Sequence, residues 1–395
     1  MKEIGKVPAK LKHLVGDFVV EEIGDKWNCK ISSEFIPNKK PDFGSLDLED
    51  ARDFLWCEME KRDIDHFKAI KEVAKGLGVG VDSIGYAGTK DKRALTSQRI
   101  SIFKPDLDMV GDFMHPNIIL KNFKWAKRKI KMGYLEGNHF EIVVRDLDRK
   151  DAVKISNAVR KKGWFPSYFG PQRFGSLRGN NVKIGKLILK RKFEEAVWTI
   201  LTDIGSGESS EIRIFREKLK KEKDFSAAAK YFPNYLKLEK ETLYYLSRNP
   251  GDFLGAIKKA ERKNMLMYVH SVQSKIFNDI LTMALEEGLD FTKKGQESCL
   301  LVGYKTRFYD GRLGEIEQAV LSEHGLSLDD FDLKEIPYLR MKGSFRKAVV
   351  EVKDLSVEVI DDSEFSGAKA IVLKFTLPSG VYATTFLDEF FEFTP

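Results

Sequence analysis

Cysteine is scarce in this sequence, and long apolar runs are missing from it. The 395 residues include only three cysteines, Cys29, Cys57 and Cys299, which lie far apart and form no CxxC pair. This pattern excludes a disulfide framework and a zinc ribbon, and it predicts a reducing, cytoplasmic location. No run of about 18 uninterrupted apolar residues occurs, so we expect no membrane span. The N-terminal residues also lack the apolar run of a secretory signal.

The signatures of metal, nucleotide and acyl-transfer chemistry are also absent from the sequence. The six histidines are scattered and show no HxxxH or HExxH spacing, so a metal site is not indicated. The chain has no P-loop, no GxGxxG fingerprint and no GxSxG elbow. We therefore expect neither a metal nor an organic cofactor.

The chain does have enough apolar residues for a buried core, and a small excess of positive charge. Hydrophobic residues make up 42% of it and charged residues 32%, which argues against extensive disorder. Its length favours two domains over one. The formal net charge is +7, from 67 Lys and Arg against 60 Asp and Glu. This excess permits a polyanionic partner without demanding one.

Local patterns predict strands near both ends of the chain and helices in the middle. Stretches rich in β-branched residues predict strands over Asp17–Ile23, Ala348–Ile360 and Ala370–Phe391. Helical spacing of apolar residues predicts helices within Leu48–Leu77, Asp151–Lys162 and residues 182–291. The simplest architecture is an α+β domain formed by both termini around a mostly helical insertion.

The segment Ser83–Phe103 has the pattern of strand, loop and strand, and its polar loop carries a carboxylate among cations. Asp91 stands beside Lys90, Lys92 and Arg93. Nearby positive charge favours the ionised form of a carboxylate, and the same cations would attract a phosphate backbone. From spacing alone, an ordinary turn aspartate with solvated neighbours is the better account of the pattern.

A second cluster of cations lies in residues 121–131, at the start of Lys121–Leu147, which has the pattern of two strands. Its basic residues are Lys121, Lys124, Lys127, Arg128, Lys129 and Lys131, with Phe123 and Trp125 between them. Cations can follow phosphates, and exposed aromatics can stack on bases. The alternative is a strand pair with a solvated basic face and its aromatics in the core.

Two further segments combine aromatic and polar side chains. Asn138 and Phe140 flank a histidine directly after a glycine. An Asn can bond a base edge and a Phe can stack on an extruded base, although a turn Asn and a core Phe explain an isolated pair better. Gly163–Asn180 is dense in Gly, Pro, aromatics and Arg, which predicts an irregular functional loop. Its Gln172 and Arg173 suit close contact with RNA, or a hinge between domains.

Six segments in consistent order run through nearly the whole chain: GDFVVEEI, AGTKDKRALTSQ, LEGNHFEIVVR, FPSYFGPQRFG, YVHSVQSKIFND and LPSGVYATTFLDEF. Together they resemble the TruD family of tRNA pseudouridine synthases, and in particular its archaeal branch. Any one of these matches is weak, whereas six in order are very specific. In the fourth segment Ser167 stands where the family frequently has Asn.

The resemblance implies the pseudouridine synthase fold, a mixed, mainly antiparallel sheet with flanking helices, into which an α-rich TRUD domain is inserted. The catalytic domain would span residues 1–165 and 345–395, and the inserted domain residues 166–344. The implied reaction isomerises uridine to pseudouridine in tRNA, at position thirteen in the D-arm region. It needs no metal, nucleotide or redox cofactor.

The resemblance also implies roles for single residues. Asp91 falls on the aspartate of the family's catalytic signature and would attack or deprotonate the sugar of a flipped uridine. Lys12 lies where the family places a basic residue before the DFVVEE strand, and would pair with Asp91. Phe140 would stack on the flipped uracil, Asn138 would fix the loop or the base, and Phe18 would line the same pocket.

The remaining implied contacts are with tRNA, the one partner that we expect. Gln172 and Arg173 would shape the cleft or hold RNA, and Lys124, Lys127 and Arg128 would bind the RNA backbone. We expect a monomer without an obligate protein partner. The alternatives are a non-catalytic RNA-binding protein, which would lack the Asp91 signature, and an RNA-cleaving enzyme, which would need a metal-binding carboxylate cluster or a His pair.

Overall fold

The fold was analysed in a computed structural model, which describes residues 5–44, 46–47, 51–175, 178–293 and 297–394. The chain forms two compact units. Unit 1 consists of Met1–Phe165 and Val350–Pro395, and unit 2 of Pro166–Val349. Unit 2 is therefore inserted into unit 1. The assignment of a catalytic domain to residues 1–165 and 345–395 and of a TRUD domain to residues 166–344 stays a prediction.

Strands dominate unit 1 and helices dominate unit 2. The strands are β1 (Val7–Leu11), β2 (Phe18–Gly24), β3 (Trp27–Asn28), β4 (Phe54–Arg62), β5 (Ile84–Tyr86), β6 (Leu95–Phe103), β7 (Ile118–Ala126), β8 (Gly137–Leu147), β9 (Trp164–Pro166), β10 (Ser298–Leu301), β11 (Ser344–Lys347), β12 (Val349–Glu351), β13 (Lys353–Asp361), β14 (Lys369–Pro378) and β15 (Phe391–Phe393). The helices are α1 (His66–Gly76), α2 (Leu107–Gly111), α3 (Arg149–Arg160), α4 (Asn181–Leu189), α5 (Phe193–Thr202), α6 (Ser210–Glu222), α7 (Phe225–Tyr231), α8 (Lys237–Arg248), α9 (Phe253–Lys259), α10 (Arg262–Glu286), α11 (Arg312–Glu323) and α12 (Ala383–Leu387). This arrangement confirms the predicted α+β class.

One mixed sheet organises unit 1. Its main strands follow the order β13-β14-β8-β2-β6-β4-β7, with β1, β3, β5 and β15 paired at its sides. Most neighbours are antiparallel, whereas β2 and β6 are parallel, with Val19 opposite Leu95. Two parallel strands begin at the same edge of a sheet. The loops that precede β2 and β6 therefore emerge side by side.

Apolar side chains cover the sheet of unit 1 in two clusters. The first joins β2, β8 and β14 to α3 and α12, with Phe140, Ile142 and Phe375 at its centre. The second joins β4, β6 and β7 to α1, and Leu55, Cys57 and Ile100 in it are fully buried. Each cluster packs a helix against strands, which is the ordinary way for a sheet to bury one face.

Unit 2 is a helical body with its own core. Its cluster of buried residues runs from Ile184 on α4 to Ala348 and includes most of the apolar face of α10. A Cβ on Gly185 would lie 2.2 Å from the Tyr268 carbonyl oxygen. Only glycine therefore allows α4 and α10 to pack this closely. The helix-rich prediction for residues 182–291 is confirmed.

Two of the local predictions are wrong in part. The helix predicted within Leu48–Leu77 begins only at His66, because Phe54–Arg62 is strand β4; residues 48–50 lie outside the described part of the chain. Strand β4 hydrogen-bonds to β6 on one side and β7 on the other, and such non-local pairing leaves no helical or strand signature in the local sequence. The strand predicted over Ala370–Phe391 is interrupted by helix α12.

All three cysteines are free thiols in buried positions. Burial raises the pKa of Cys29, Cys57 and Cys299 well above the usual thiol range. Buried protonated thiols are poor nucleophiles, so none of them is a candidate for covalent chemistry. None of the helices in the described ranges is both long and apolar enough to cross a bilayer.

His66, at the first position of α1, makes the stability of unit 1 sensitive to acid. Burial of the ring lowers the pKa of His66 to about 4, and the nearby Lys61 ammonium adds to this shift. The Gln98 side chain opposes the shift, although neither ring nitrogen of His66 has a hydrogen-bond partner among the described residues. The unfolded chain binds a proton near pH 6.5 and the folded chain resists it, so stability is full above pH 6.5 and is lost as pH falls toward 4. We expect a loss of about 3 kcal/mol over this range from His66 alone.

This loss can be measured by urea unfolding between pH 4 and 7. In His66→Phe, which keeps a ring against Tyr86 but cannot titrate, the same interval should show a smaller loss by about that amount. An identical pH dependence in the two proteins would contradict the assignment.

Candidate active site

Asp91 lies in the loop between β5 and β6, and its carboxylate is ion-paired. We call residues 87–94 the Asp91 loop. The Lys12 ammonium donates a hydrogen bond of 2.9 Å to Asp91 Oδ1. The Asp91 side chain is 50% exposed and that of Lys12 21%. The carboxylate is thus held at one oxygen while half of its surface remains open to a reactant.

Lys12 is brought to Asp91 by the parallel pairing of β2 and β6. It follows β1 and adopts a left-handed backbone conformation with φ of 57°, which turns the chain toward β2. Its Nζ also lies 4.1 Å from the centroid of the Phe18 ring. An ammonium over an aromatic face is favourable, so Lys12 is fixed between the ring and the carboxylate.

Several hydrogen bonds to the backbone hold the Asp91 loop. The Gln98 side chain donates to the Gly88 carbonyl at 3.0 Å. The Arg93 guanidinium donates to the His13 carbonyl at 2.6 Å, which ties the loop to the residue after Lys12. The Lys61 ammonium donates to the carbonyl of Asp91 itself. The loop therefore has a defined shape before any ligand binds.

A buried ion cluster lies beneath this loop. Glu22 has no exposed surface, and it accepts hydrogen bonds from Lys90 Nζ at 2.9 Å and from Arg99 Nε at 3.4 Å. Arg99 also donates to the Tyr134 carbonyl at 3.1 Å. A Cβ on Gly24 would collide with the Arg99 guanidinium, so a side chain there would displace Arg99 from its present position. The expectation that Lys90 supports Asp91 is corrected, because Lys90 is buried against Glu22.

Phe18 and Phe140 meet inside the sheet-facing core rather than at the surface. They are 2% and 5% exposed. Their ring centroids lie 6.3 Å apart in an edge arrangement, and Phe140 stacks on Phe375 at 5.4 Å. Asn138 lies on the same strand as Phe140, opposite Glu22 in the sheet. Its Oδ1 is buried and has no hydrogen-bond partner among the described residues.

An open pocket of about 680 Å³ borders the Asp91 loop. Its lining residues are His13, Leu14, Val15, Gly16, Asp17, Arg62, Asp63, Arg93, Val143 and Arg145. Arg145 is engaged by Asp17 at 2.7 Å and Asp362 at 2.9 Å. Arg62, Asp63 and Arg93 also line the pocket, and Arg93 is the one that donates to the His13 carbonyl. Such a pocket offers room and positive charge for a phosphate-bearing ligand.

We call the cations of residues 121–131 the basic run. Its exposed members lie toward the end of the strands that is farther from the Asp91 loop. Lys124 on β7 is opposite Trp56 on β4, five residues before Lys61, which contacts the Asp91 loop. At about 3.3 Å per strand residue, this is roughly 17 Å along the strand. Lys124, Lys127 and Arg128 are exposed. They form a surface that is remote from the carboxylate but within reach of a large substrate.

Two other lysines of that run are engaged within the protein. Lys121 donates to Glu60 at 2.5 Å, and Lys129 donates to the Asp82 carbonyl at 2.5 Å. Phe123 is buried against Phe43. The alternative of aromatics in the core is therefore the correct one for Phe123, and the run is only partly available to a ligand.

Gln172 and Arg173 belong to unit 2, in a single 3-10 turn over Pro171–Phe174. Gln172 is exposed. The guanidinium of Arg173 lies 5.2 Å from the Phe169 ring. Phe169 is fixed by Asn278, whose side chain accepts from its N–H at 2.9 Å and donates to its carbonyl at 3.0 Å. The predicted irregular loop is thus held in place by hydrogen bonds between Phe169 and Asn278.

Neither Lys61 nor Glu22 was singled out from the sequence. The sequence does indicate that Glu22 is buried, because alternate residues of a strand face the same side and Glu22 alternates with Phe18 and Val20, which are buried. A carboxylate at a core-facing position must find a buried cation. Lys61 carried a weaker signal, since its strand was predicted as a helix. Among the described residues, no group of three or more His, Cys, Asp or Glu side chains is arranged to hold a metal ion.

The fold and site define an α+β protein with an ion-paired carboxylate at a sheet edge, beside a basic pocket. The family model of tRNA pseudouridine synthase D (TruD) matches residues 2–300 and 292–390. The chain belongs to the tRNA pseudouridine synthase D (TruD) family.

Individual relatives agree with this assignment. A Methanopyrus kandleri protein named "Probable tRNA pseudouridine synthase D" is 35% identical over 340 residues, which are 84% of this chain and 84% of that protein. A Pyrococcus furiosus protein of the same name is 33% identical over 371 residues, covering 84% of this chain and 87% of that protein. A crystal structure described as tRNA pseudouridine synthase D (TruD) from Methanosarcina mazei superposes with a TM-score of 0.80 at 29% identity. It covers 98% of this chain and 94% of that one.

Glu22 should be the carboxylate on which unit 1 depends most. Glu22→Gln leaves the buried Lys90 and Arg99 charges uncompensated, and we expect a loss of roughly 3–5 kcal/mol in the free energy of unfolding. The measurement is urea unfolding at pH 7. The control is Glu141→Gln, which breaks an exposed cross-strand pair with Lys374 at 2.9 Å and should cost less than about 1 kcal/mol. Equal losses in the two variants would contradict this role of Glu22 in the stability of unit 1.

Proposed function

We propose that this protein isomerises uridine to pseudouridine in tRNA, and that its target is position thirteen in the D-arm region. The observation that carries the proposal is the Lys12–Asp91 ion pair at 2.9 Å, with half of the carboxylate surface open. The sequence family supports the reaction, and the resemblance of the six segments supports the position. The protein would act in the cytoplasm, as a monomer.

The reaction breaks the N-glycosidic bond between the sugar C1′ and uracil N1 and rejoins the same C1′ to uracil C5. Asp91 can serve it by either of two routes. As a nucleophile, its carboxylate forms a bond to C1′ while the C1′–N1 electron pair leaves with uracil, and C5 later displaces the carboxylate. As a base, it removes the C2′ proton while N1 leaves, which gives a glycal, and C5 then adds to C1′ as that proton returns to C2′. In both routes C5 then loses its proton to solvent and N1 takes one up. A primary isotope effect at C2′ would separate these routes.

Lys12 serves both routes by orienting the Asp91 carboxylate. Its ammonium donates a hydrogen bond of 2.9 Å to Asp91 Oδ1, and the cation–π contact with Phe18 limits the freedom of the ammonium. No oxidant or reductant is consumed in the reaction, because uridine and pseudouridine are isomers. The residues at the site therefore need only charge and orientation.

The target uridine must leave its stack before its sugar can reach Asp91. Asn138 offers a buried acceptor without a partner in the described chain, which suits a uracil N–H. Phe140 would stack on the base. Because this ring is buried against Phe18 and Phe375, base entry would require the side chains around it to shift. The pocket beside Asp91 has room for the flanking backbone, near Arg62 and Arg93.

The remaining contacts with tRNA would be made outside the immediate site. Gln172 and Arg173 would hold RNA or shape the RNA-binding surface of unit 2, and Lys124, Lys127 and Arg128 would bind the RNA backbone. Their exposure supports this for Gln172 and for the three cations of the basic run. The engagement of Arg173 with Phe169 favours the shaping role for that residue.

Asp91→Asn should abolish pseudouridine formation while tRNA binding survives. Asparagine keeps the size of the side chain but can neither attack C1′ nor accept a proton, whereas affinity comes mostly from phosphate contacts. Pseudouridine mapping on unmodified tRNA transcripts gives the first readout, and filter binding the second. The matched control is Asp112→Asn, which removes an exposed carboxylate paired with Lys40 at 2.9 Å.

Measurable turnover by Asp91→Asn would overturn the role of Asp91. Tight tRNA binding by the wild type without any new pseudouridine would instead favour the RNA-binding alternative. Pseudouridine at a tRNA site outside the D-arm region would retain the activity and overturn the target position.

Lys124→Glu combined with Lys127→Glu should weaken tRNA binding and flatten its salt dependence. Each lost phosphate contact lowers the slope of log K against log salt by about one, so the double variant should lose roughly two. Binding should be measured from 50 to 200 mM salt. The control is Lys71→Glu, on the exposed face of α1. An unchanged slope in the double variant would show that this end of the sheet does not face the RNA.

A further inference from the structure

Lys61 is a buried cation bonded to the backbone of Asp91. It lies near the end of β4 and has no exposed surface. Its Nζ donates to the Ile64 carbonyl at 3.0 Å and also to the Asp91 carbonyl. Lysine is rarely buried completely, because removing an ammonium from water is costly. A lysine in this position needs a reason that apolar packing does not supply.

The two acceptors of Lys61 belong to two different turns. Ile64 lies between β4 and α1, and Asp91 lies between β5 and β6. A second bond joins the same turns, from the Asp63 N–H to the Ala94 carbonyl at 3.2 Å. Asp63 has a left-handed φ of 48°, so the chain turns sharply there. Because β4 pairs with strands on both sides, it is a rigid base for the loop.

We propose that protonated Lys61 is a positioning residue for the reaction, holding the Asp91 backbone so that its carboxylate stays against Lys12 and open to the target sugar. The proposal rests on the proposed function. Asp91 is then fixed at both ends, its side chain by Lys12 and its carbonyl by Lys61. Being fully buried, Lys61 does not touch the substrate. Its effect is on the geometry of attack, to which reaction rates are very sensitive.

The surroundings of Lys61 make it lose its proton within the pH range of ordinary activity assays. Asp63 and Asp65 face Lys61 from its own turn, and Asp91 and Lys90 face it from the Asp91 loop. His66, which is uncharged, faces it from α1. Burial is the largest effect and lowers the pKa of Lys61 to about 8, although the carboxylates oppose it and Lys90 adds to it. A neutral amine makes weaker hydrogen bonds than an ammonium. The hold on Asp91 should therefore loosen in mild alkali.

The first test is single-turnover pseudouridine formation by the full chain on a tRNA transcript at pH 7. Lys61→Met keeps an apolar stem of similar length and removes both hydrogen bonds. We expect its rate constant to fall roughly 100-fold, as for a small misplacement of a reacting group, with tRNA Kd unchanged. The control Lys71→Met removes an exposed lysine of α1 and should keep the wild-type rate.

The second test separates positioning from a purely structural role and does not depend on whether Lys61→Met folds. The wild-type rate constant should fall as pH rises from 8 to 9, because the ammonium is lost. In Lys61→Arg the guanidinium stays charged, so the falling limb should move to higher pH whatever the absolute rate. A structural lysine would leave the shape of this profile unchanged.

Three outcomes would overturn the proposal. A folded Lys61→Met protein with the wild-type rate is the first. A flat wild-type profile between pH 7 and 9 is the second, and a falling limb that persists unshifted in Lys61→Arg is the third. A wild-type protein that is inert on every tRNA would overturn the proposed function, and this inference with it. An active wild type combined with any of the three results overturns this inference alone.

Discussion

The parallel pairing of β2 and β6 is the constraint on which the site depends. Parallel neighbours start at the same edge of a sheet, so the segments that precede them are brought together whatever their distance in the chain. One segment carries Lys12 and the other carries Asp91, and their side chains meet at 2.9 Å. In a mainly antiparallel sheet, this parallel contact brings two loops that are distant in the chain together as one charged pair.

Buried charge beneath the loop completes the arrangement at some cost in stability. Glu22, Lys90 and Arg99 form a cluster with almost no exposed surface, and Lys61 lies next to it in the interior. Replacing such groups by apolar residues is often neutral or stabilising. Here each of the buried cations has an acceptor on or near the Asp91 loop. These hydrogen bonds are directional and so define the shape of the loop. Apolar contacts are not directional and would define it less well.

Particular elements show how far local pattern carries a prediction. Strand β2 and the strand–loop–strand segment around Asp91 were predicted correctly, because alternation and polar turn residues are local signals. Strand β4 was predicted as part of a helix, since its identity comes from pairing with β6 and β7. The same error hid Lys61. The charge of Lys90 was expected to support Asp91, whereas Lys90 pairs with Glu22, which lies 68 residues away in the chain.

The sequence by itself determined the α+β class, the order of the strand-rich and helix-rich parts, the family, and Asp91 as the residue of interest. The class and the order follow from composition and periodicity, which are properties of neighbouring residues, whereas the family and Asp91 follow from the resemblance of the six segments. Tertiary structure decided which cations serve Asp91, that Phe18 and Phe140 are buried together, and that the basic run lies roughly 17 Å from the site along the strands. Strand order and register set these relations. Both depend on the free energy of the whole sheet, which brings distant parts of the chain into contact.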